Sequence, residues 1–434
     1  MALGGGNYTV QNKILPGAYI NFVSAANVSV TLSDRGIVAM PFELDWGVDN
    51  QVFEVTAEEF ERNSLQLFGY PHGHEKLKNI REIFLHAKTL YAYKLNSSGV
   101  KASNNYAEAV CGGVRGNSLQ VSIQKNVDNG EKFDVKLLLD GAVLDTQTVE
   151  QASELKPNQF VTWKETSLQV TAATPLTGGT NGSAVTSKEY QTFLNKIESY
   201  SYNILAVATA TVEINNLVAS FCKRMRDERG AKFQAVLYNT AADYEGVINV
   251  KNTVSESGST AALVYWVAGM QAGCAVNKSV MNKPYDGEYT VIADYTQTQL
   301  EDSIQAGEFV FHKVGNEIRV LQDINSLVTT TEEKNSLFQD NQTIRVIDQI
   351  ANDIASLFNT KYLGNIPNNE SGRISLWSDI VKHHEQLQEL GAIENFSDSD
   401  VTVSQGDTKK SVIVSDKVTV INAMAQLYMN VVVE

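Results

Sequence analysis

The stretch Leu427-Tyr-Met-Asn-Val-Val-Val-Glu434 alternates, with Leu427, Met429, Val431 and Val433 on one side and Tyr428, Asn430, Val432 and Glu434 on the other. That is a period-two strand with one wholly apolar face. It runs to the last residue of the sequence, and no turn leads it into a following partner. A strand left in this condition is an open edge that pairs with whatever sheet it meets. Two folds satisfy it: return to a sheet of its own domain, or addition to a sheet of another copy.

The opening mirrors the end. Gly4, Gly5 and Gly6 precede a short strand candidate, Asn7-Tyr-Thr-Val10, and Pro16-Gly17 marks a turn before Tyr19-Ile-Asn-Phe-Val23. Glycine-rich backbone bends easily, so residues 1–16 are expected to form an arm. From Asn27 to Ser33 the alternation is strict, which predicts a half-buried strand.

A chain of 434 residues exceeds what one core usually fills, so several domains are expected. Its 35 basic and 50 acidic residues leave a net charge of -15, which argues against nucleic acid as the main partner. Cys111, Cys222 and Cys274 are odd in number and widely spaced, a pattern of reduced thiols rather than of a disulfide frame. The N-terminal residues lack a basic region followed by an apolar core, and no apolar run approaches a membrane helix. Neither secretion by signal peptide nor membrane insertion is expected.

Along the chain, Thr56-Ala-Glu-Glu59 has the spacing of a capping box, and helical periodicity continues through Leu77, Ile80, Ile83 and Phe84. Residues 98–185 change character: short strands at Leu119–Gln124, Phe133–Leu139, Val143–Val149 and Phe160–Trp163, with a hairpin turn at Asp140-Gly141, predict an inserted all-β domain. After Thr186, helices alternate with buried strands at Ile204–Ala208 and Lys232–Tyr238, which implies an α/β layer. A helical stripe of Ile344, Ile347, Ile350, Ala351, Ile354, Leu357 and Phe358 follows, and a second one runs through Ile374, Trp377, Ile380, Val381, His384, Leu387 and Leu390 to a stop at Gly391.

Little in the sequence points to catalysis. The turn after the 204–208 strand reads Thr209-Ala-Thr-Val-Glu213, without the glycines that let amides wrap a phosphate. His72 and His74 share a turn but have no third ligand nearby. His383 and His384 point about 100° apart on a helix, poorly placed to hold one metal. No Gly-x-Ser-x-Gly elbow occurs. No cofactor is expected. The densest basic run, Lys223-Arg-Met-Arg-Asp-Glu-Arg229, complements a helix C-terminus, and Lys223, Arg224, Arg226 and Arg229 also offer an electrostatic contact to an acidic neighbour. A nucleotide-binding or hydrolytic enzyme on the α/β core stands as the alternative reading. A surface-layer or adhesin-type assembly protein is a further one, which would call for an export signal.

Several segments resemble contractile tail sheath proteins, in particular the sheath of phage-like particles and R-type bacteriocins of Gram-positive bacteria. They are Gly4–Ser24, Arg35-Gly-Ile-Val-Ala-Met-Pro-Phe-Glu-Leu-Asp-Trp-Gly47, Lys223–Val236, Asn341-Gln-Thr-Ile-Arg-Val-Ile-Asp348 and Leu427–Val433. The resemblance spans the chain and is loosest over 98–185. It implies a non-enzymatic α+β multidomain subunit: an α/β sheath core, an inserted small β domain, and N- and C-terminal arms that add strands to neighbouring subunits. The implied divisions are an arm at 1–18, sheath body at 19–97, an outer β domain at 98–185, α/β body at 186–330, an inner domain at 331–417, and a linker strand at 418–434. By the same resemblance, Asn7, Tyr8, Thr9 and Val10, with Leu427, Tyr428, Met429, Asn430, Val431, Val432 and Val433, are the inter-subunit strands. Implied partners are further copies stacked as hexameric rings, a tail tube, and baseplate and tail-end proteins. Such a subunit is made in the bacterial cytoplasm, built into a tail or bacteriocin particle and released by lysis.

Overall fold

A computed structural model describes residues 32–182 and 184–433. The strand candidates at Asn7–Val10 and Tyr19–Val23, and most of that at Asn27–Ser33, lie outside the described residues, as does Glu434.

The largest sheet has seven strands. Ile37–Phe42 sits inside it, flanked by Thr89–Lys94 and then Val52–Thr56 on one side, and by Ile204–Val207, Gln234–Tyr238, Val247–Val250 and Glu308–Phe309 on the other. All pairings are parallel except that of Val52–Thr56 with Thr89–Lys94. Strands such as Ile-Leu-Ala-Val207 and Val-Ile-Asn-Val250 are buried at every position, because helices cover both faces of a parallel sheet.

The helices follow from local signals. Helix α1 (Ala57–Phe68) starts with the Thr56–Glu59 capping box and ends at Gly69, whose φ is 79°. Helix α2 (Lys78–Phe84) packs with the helix Leu263–Gly273 on one face of the sheet, and α3 (Ser187–Ile197) and α4 (Val212–Arg224) cover the other. α4 runs on as a single wider turn, Met225–Arg229, and stops at left-handed Gly230. Helix α5 (Leu263–Gly273) lies so close to α2 that a Cβ at Gly269 or Gly273 would strike the carbonyl oxygens of Ile83 and His86. Helix α6 (Gln297–Gln305) precedes the hairpin Phe311–Val314/Glu317–Val320.

Between residues 101 and 175, a four-stranded and a three-stranded sheet enclose their own core. Asp140 and Gly141, with φ of 51° and 82°, make the two-residue turn read from the sequence. Trp46, from the chain just after Ile37–Phe42, enters this core and ties it to the main sheet. Arg115 adds a second tie by donating to Gly69 O and pairing with Asp140. At the carboxyl end of Ile204–Val207, the buried Asn215 amide donates to Thr209 O and Tyr238 O. A side chain of the protein itself therefore bridges the ends of two adjacent parallel strands, where a phosphate would have to sit.

Helices α7 (Asn341–Leu357) and α8 (Glu370–Glu389) form the last layer, with the hairpin Val401–Gln405/Val412–Asp416 beside them. α7 departs from the expectation set by its apolar stripe. Ile344 and Leu357 are buried, but Ile347, Ile350 and Ile354 are only half-buried, while Asn341, Gln342, Arg345, Asp348, Gln349 and Asp353 lie inside. The polar face docks on the α/β body. Arg345 pairs with Asp323 and bonds Gln271, Gln234 donates to Asn341, and Asn352 exchanges hydrogen bonds with the Lys232 backbone. The buried polar side chains of α7 named here find specific partners, as burial demands.

Candidate assembly interface

The C-terminal segment leaves the fold in stages. Thr419–Val420 pairs with Ile393–Glu394, and Ile421 N donates to Ala392 O. The Gln342 side chain then clamps the backbone, donating to Ile421 O and accepting from Ala423 N, while Thr343 Oγ1 bonds Asn422. The implied linker at 418–434 is thus pinned as far as Ala423. Met424 is 99% exposed, and Leu427, Tyr428, Met429, Val431, Val432 and Val433 are all exposed. From Leu427 to Val433 the segment joins no ladder among the described residues.

The described residues also contain an open strand edge. The strand Val412–Asp416 pairs with Val401–Gln405 along one edge only. Beside its other edge runs a groove of about 580 Å³ lined by Ile350, Ile354 and Phe358 of α7, Ile380 of α8, and Val412 and Val414 of the strand. A strand laid here would find main-chain partners on one side and an apolar floor below. The second edge, that of Val401–Gln405, borders a smaller groove with Ile374 and Trp377, where the Trp377 indole donates to Val401 O. The open edge of Val412–Asp416 was not read from the sequence, although the half-buried stripe of α7 and the β-branched run Val412-Ile-Val414 border it.

The basic run divides. Arg226 turns inward and is 3% exposed, with a two-pronged bond to Asp348 and a third to Phe233 O, so it offers nothing to a neighbour. Burial alone would lower the pKa of this guanidinium, but the Asp348 carboxylate outweighs it and raises it. Arg224 pairs with Glu198 at 2.8 Å, Arg229 is exposed with Glu198 at 3.8 Å, and Lys223 lies over the Tyr244 ring at 5.7 Å. The cysteines are free thiols, and burial pushes that of Cys222 up to about 12. Among the described residues no group of three metal-ligating side chains occurs, and no helix is long and apolar enough to cross a membrane.

Comparison with known proteins covers the chain nearly end to end. The family described as phage tail sheath protein central domain matches residues 183–326, and the phage tail sheath C-terminal domain matches 333–434. The phage tail sheath protein beta-sandwich domain matches 97–181, and the tail sheath protein Gp18 domain III N-terminal region matches 35–95. The phage-like element PBSX protein XkdK of Bacillus subtilis is 33% identical, with 99% of each chain covered. The tail sheath protein of Clostridium phage phiCD119 is 30% identical over 48% of this chain and 58% of its own. Among solved structures, the sheath tail protein of Desulfitobacterium hafniense superposes with a TM-score of 0.80 at 38% identity, covering 90% of this chain and 93% of its own. The helical sheath of the anti-feeding prophage in its contracted state shares the fold alone, with a TM-score of 0.57 at 11% identity over 96% and 98% of the two chains. By these matches, which together span nearly the whole chain, the chain belongs to the phage tail sheath protein family.

Proposed function

We propose that the chain is the structural, non-enzymatic subunit of a contractile tail sheath. It polymerises as stacked hexameric rings around a tail tube and contracts to drive that tube through a target cell envelope. The observations that support this reading are an exposed C-terminal segment, Leu427–Val433, in no ladder among the described residues, and an open strand edge, Val412–Asp416, beside an apolar groove. In this reading Leu427, Met429, Val431 and Val433 of one subunit lie on Ile350, Ile354 and Phe358 of the next. Asn7–Val10 of a further copy takes the edge of Val401–Gln405.

A strand added over about six residues makes about six main-chain bonds, each contributing roughly 1 kcal/mol net. Ordering the arm offsets much of that, so one link is modest, whereas many links in a closed lattice hold by multivalency. The free arm beyond Ala423 lets bodies rotate while links persist. Contraction is then a switch between two packings of one subunit, driven by better body contacts in the shorter state. The 186–420 region faces the tube, the 98–185 domain lies outside, Arg229 and Lys223 contact acidic neighbours, and baseplate and tail-end proteins terminate the stack. The subunit is made in the bacterial cytoplasm and leaves by lysis as part of a phage tail or bacteriocin.

Negative-stain electron microscopy of the full chain beside a chain lacking Leu427–Glu434 tests this. Hollow tubes from the full chain and single particles from the truncation are expected. Tubes from both would remove the terminal strand as the link.

A further inference from the structure

Helix α8 carries adjacent histidines, His383 and His384, both fully buried. Their Nδ1 atoms lie 3.2 Å apart. His383 Nε2 is 3.0 Å from Asp353 Oδ2 on α7, and His384 Nε2 is 2.7 Å from Asp416 Oδ2. Asp353 also accepts from Ser33 Oγ at 2.5 Å and from Gln349 Nε2 at 2.8 Å. An unbroken line of bonds therefore runs Ser33–Asp353–His383–His384–Asp416. It begins four residues before the strand Ile37–Phe42 and ends on the last residue of the open-edged strand, directly before the C-terminal segment.

One arrangement of hydrogens satisfies every contact of the pair. Each Nε2 faces a carboxylate and so carries a hydrogen. The Nδ1–Nδ1 contact then needs one hydrogen and one lone pair. Three hydrogens on four ring nitrogens make one imidazolium and one neutral imidazole. Removing the shared proton sets two lone pairs face to face, and adding another sets two N–H groups head on. Burial opposes ionisation of Asp353, but bonds from His383, Ser33 and Gln349 hold its carboxyl below the ordinary range. Of the other groups around the pair, Asp416 is the second carboxylate, the Arg35 guanidinium acts on Asp353 from beyond it, and Phe396, 5.0 Å from His384, carries no charge.

We propose that His383 and His384 form a one-proton latch that couples the roots of the two terminal arms. The shared proton holds Ser33 and Asp416 in fixed relation, and either its loss or a second protonation releases both together. Only the consequence for assembly rests on the sheath reading; the coupling belongs to the single chain.

Hydrogen–deuterium exchange on the full chain tests it between about pH 5 and about pH 9, where imidazoles change charge, with rates corrected for intrinsic exchange. Protection of segments 33–36 and 412–418 is expected to fall about tenfold or more at both ends of the range and in step, while Ile204–Val207 stays protected. In the double variant His383→Gln/His384→Gln this response disappears. In Ser33→Ala, which keeps the histidines, the C-terminal segment still responds and the 33–36 segment no longer does. Flat protection across pH in the native chain, a response at one root only, or an unchanged response in the double variant would each overturn the latch. Failure of the native chain to form tubes would count against the sheath reading and leave the exchange result standing.

Discussion

Arg226 and Asp348, 122 residues apart in sequence, meet in a two-pronged buried ion pair with N–O distances of 2.5 and 2.8 Å. The pair joins the end of α4 to α7, and so the α/β body to the C-terminal layer. Removing one partner leaves the other buried and uncompensated. Arg226→Ala or Asp348→Ala is expected to lower stability by about 3–5 kcal/mol, read as a drop in the urea midpoint. Replacing both by apolar residues of matching volume should recover most of that loss. A single substitution that left the midpoint unchanged would mean the pair is not what joins the two parts.

Asp340, which caps α7 at its N-terminus, is pushed up to about 6, first by burial and then by the nearby Asp323 carboxylate. A carboxyl raised in the folded chain binds its proton more tightly there than when unfolded. Its contribution to stability is therefore complete below about pH 3.8 and is lost as pH rises through about 6. Asn caps a helix as well as Asp does and cannot ionise. Asp340→Asn should raise stability by on the order of 1–3 kcal/mol at pH 7.5 and by little at pH 4. Thermal melts at the two pH values measure the difference, and an equal gain at both would refute the burial argument.

The open groove gives a substitution that should spare the fold and stop assembly. Ala351 lines it, half-buried and facing the space beside Val412–Asp416. Ala351→Trp fills that space without opening a core cavity. The monomer is expected to melt within about 1 kcal/mol of the native chain, since substitutions away from packed features usually stay small. Tube formation, followed by light scattering, should fall at least tenfold. Normal tubes from this variant would place the incoming strand elsewhere.

Much of this architecture was legible because its signals are local. The capping box at Thr56–Glu59, the Asp140-Gly141 turn and the stop at Gly391 each depend on residues close in sequence. The buried strands Ile204–Val207 and Gln234–Tyr238 were visible as apolar runs, and the resemblance named the family. The orientation of α7 was not legible. Its apolar stripe predicts that Ile350 and Ile354 face a core, yet the inward face is Arg345, Asp348 and Asp353, whose partners Asp323, Arg226 and His383 lie 22, 122 and 30 residues away. Charge complementarity across such distances leaves no periodic trace. The inward turn of Arg226 escaped for the same reason, since a run of basic residues reads as surface until its acid is found. His383 was hidden likewise, because adjacent helix positions diverge as a rule and only the two carboxylates bring these rings together.

The polar docking face of α7 also determines how the molecule bears force. An apolar seam can slide, since one methyl group is exchanged for another at little expense. The seam between α7 and the α/β body has no such freedom: a displacement of a few ångströms would separate Arg226 from Asp348 and Arg345 from Asp323 before any new partner came within reach. Shear across it meets a steep wall rather than a slope. A pull on the terminal segment, which the Gln342 amide grips at Ile421 and Ala423, therefore passes through α7 into the parallel sheet with little slack. Under such a pull the fold would act as one rigid lever, and the chain beyond Ala423 would be the part that yields.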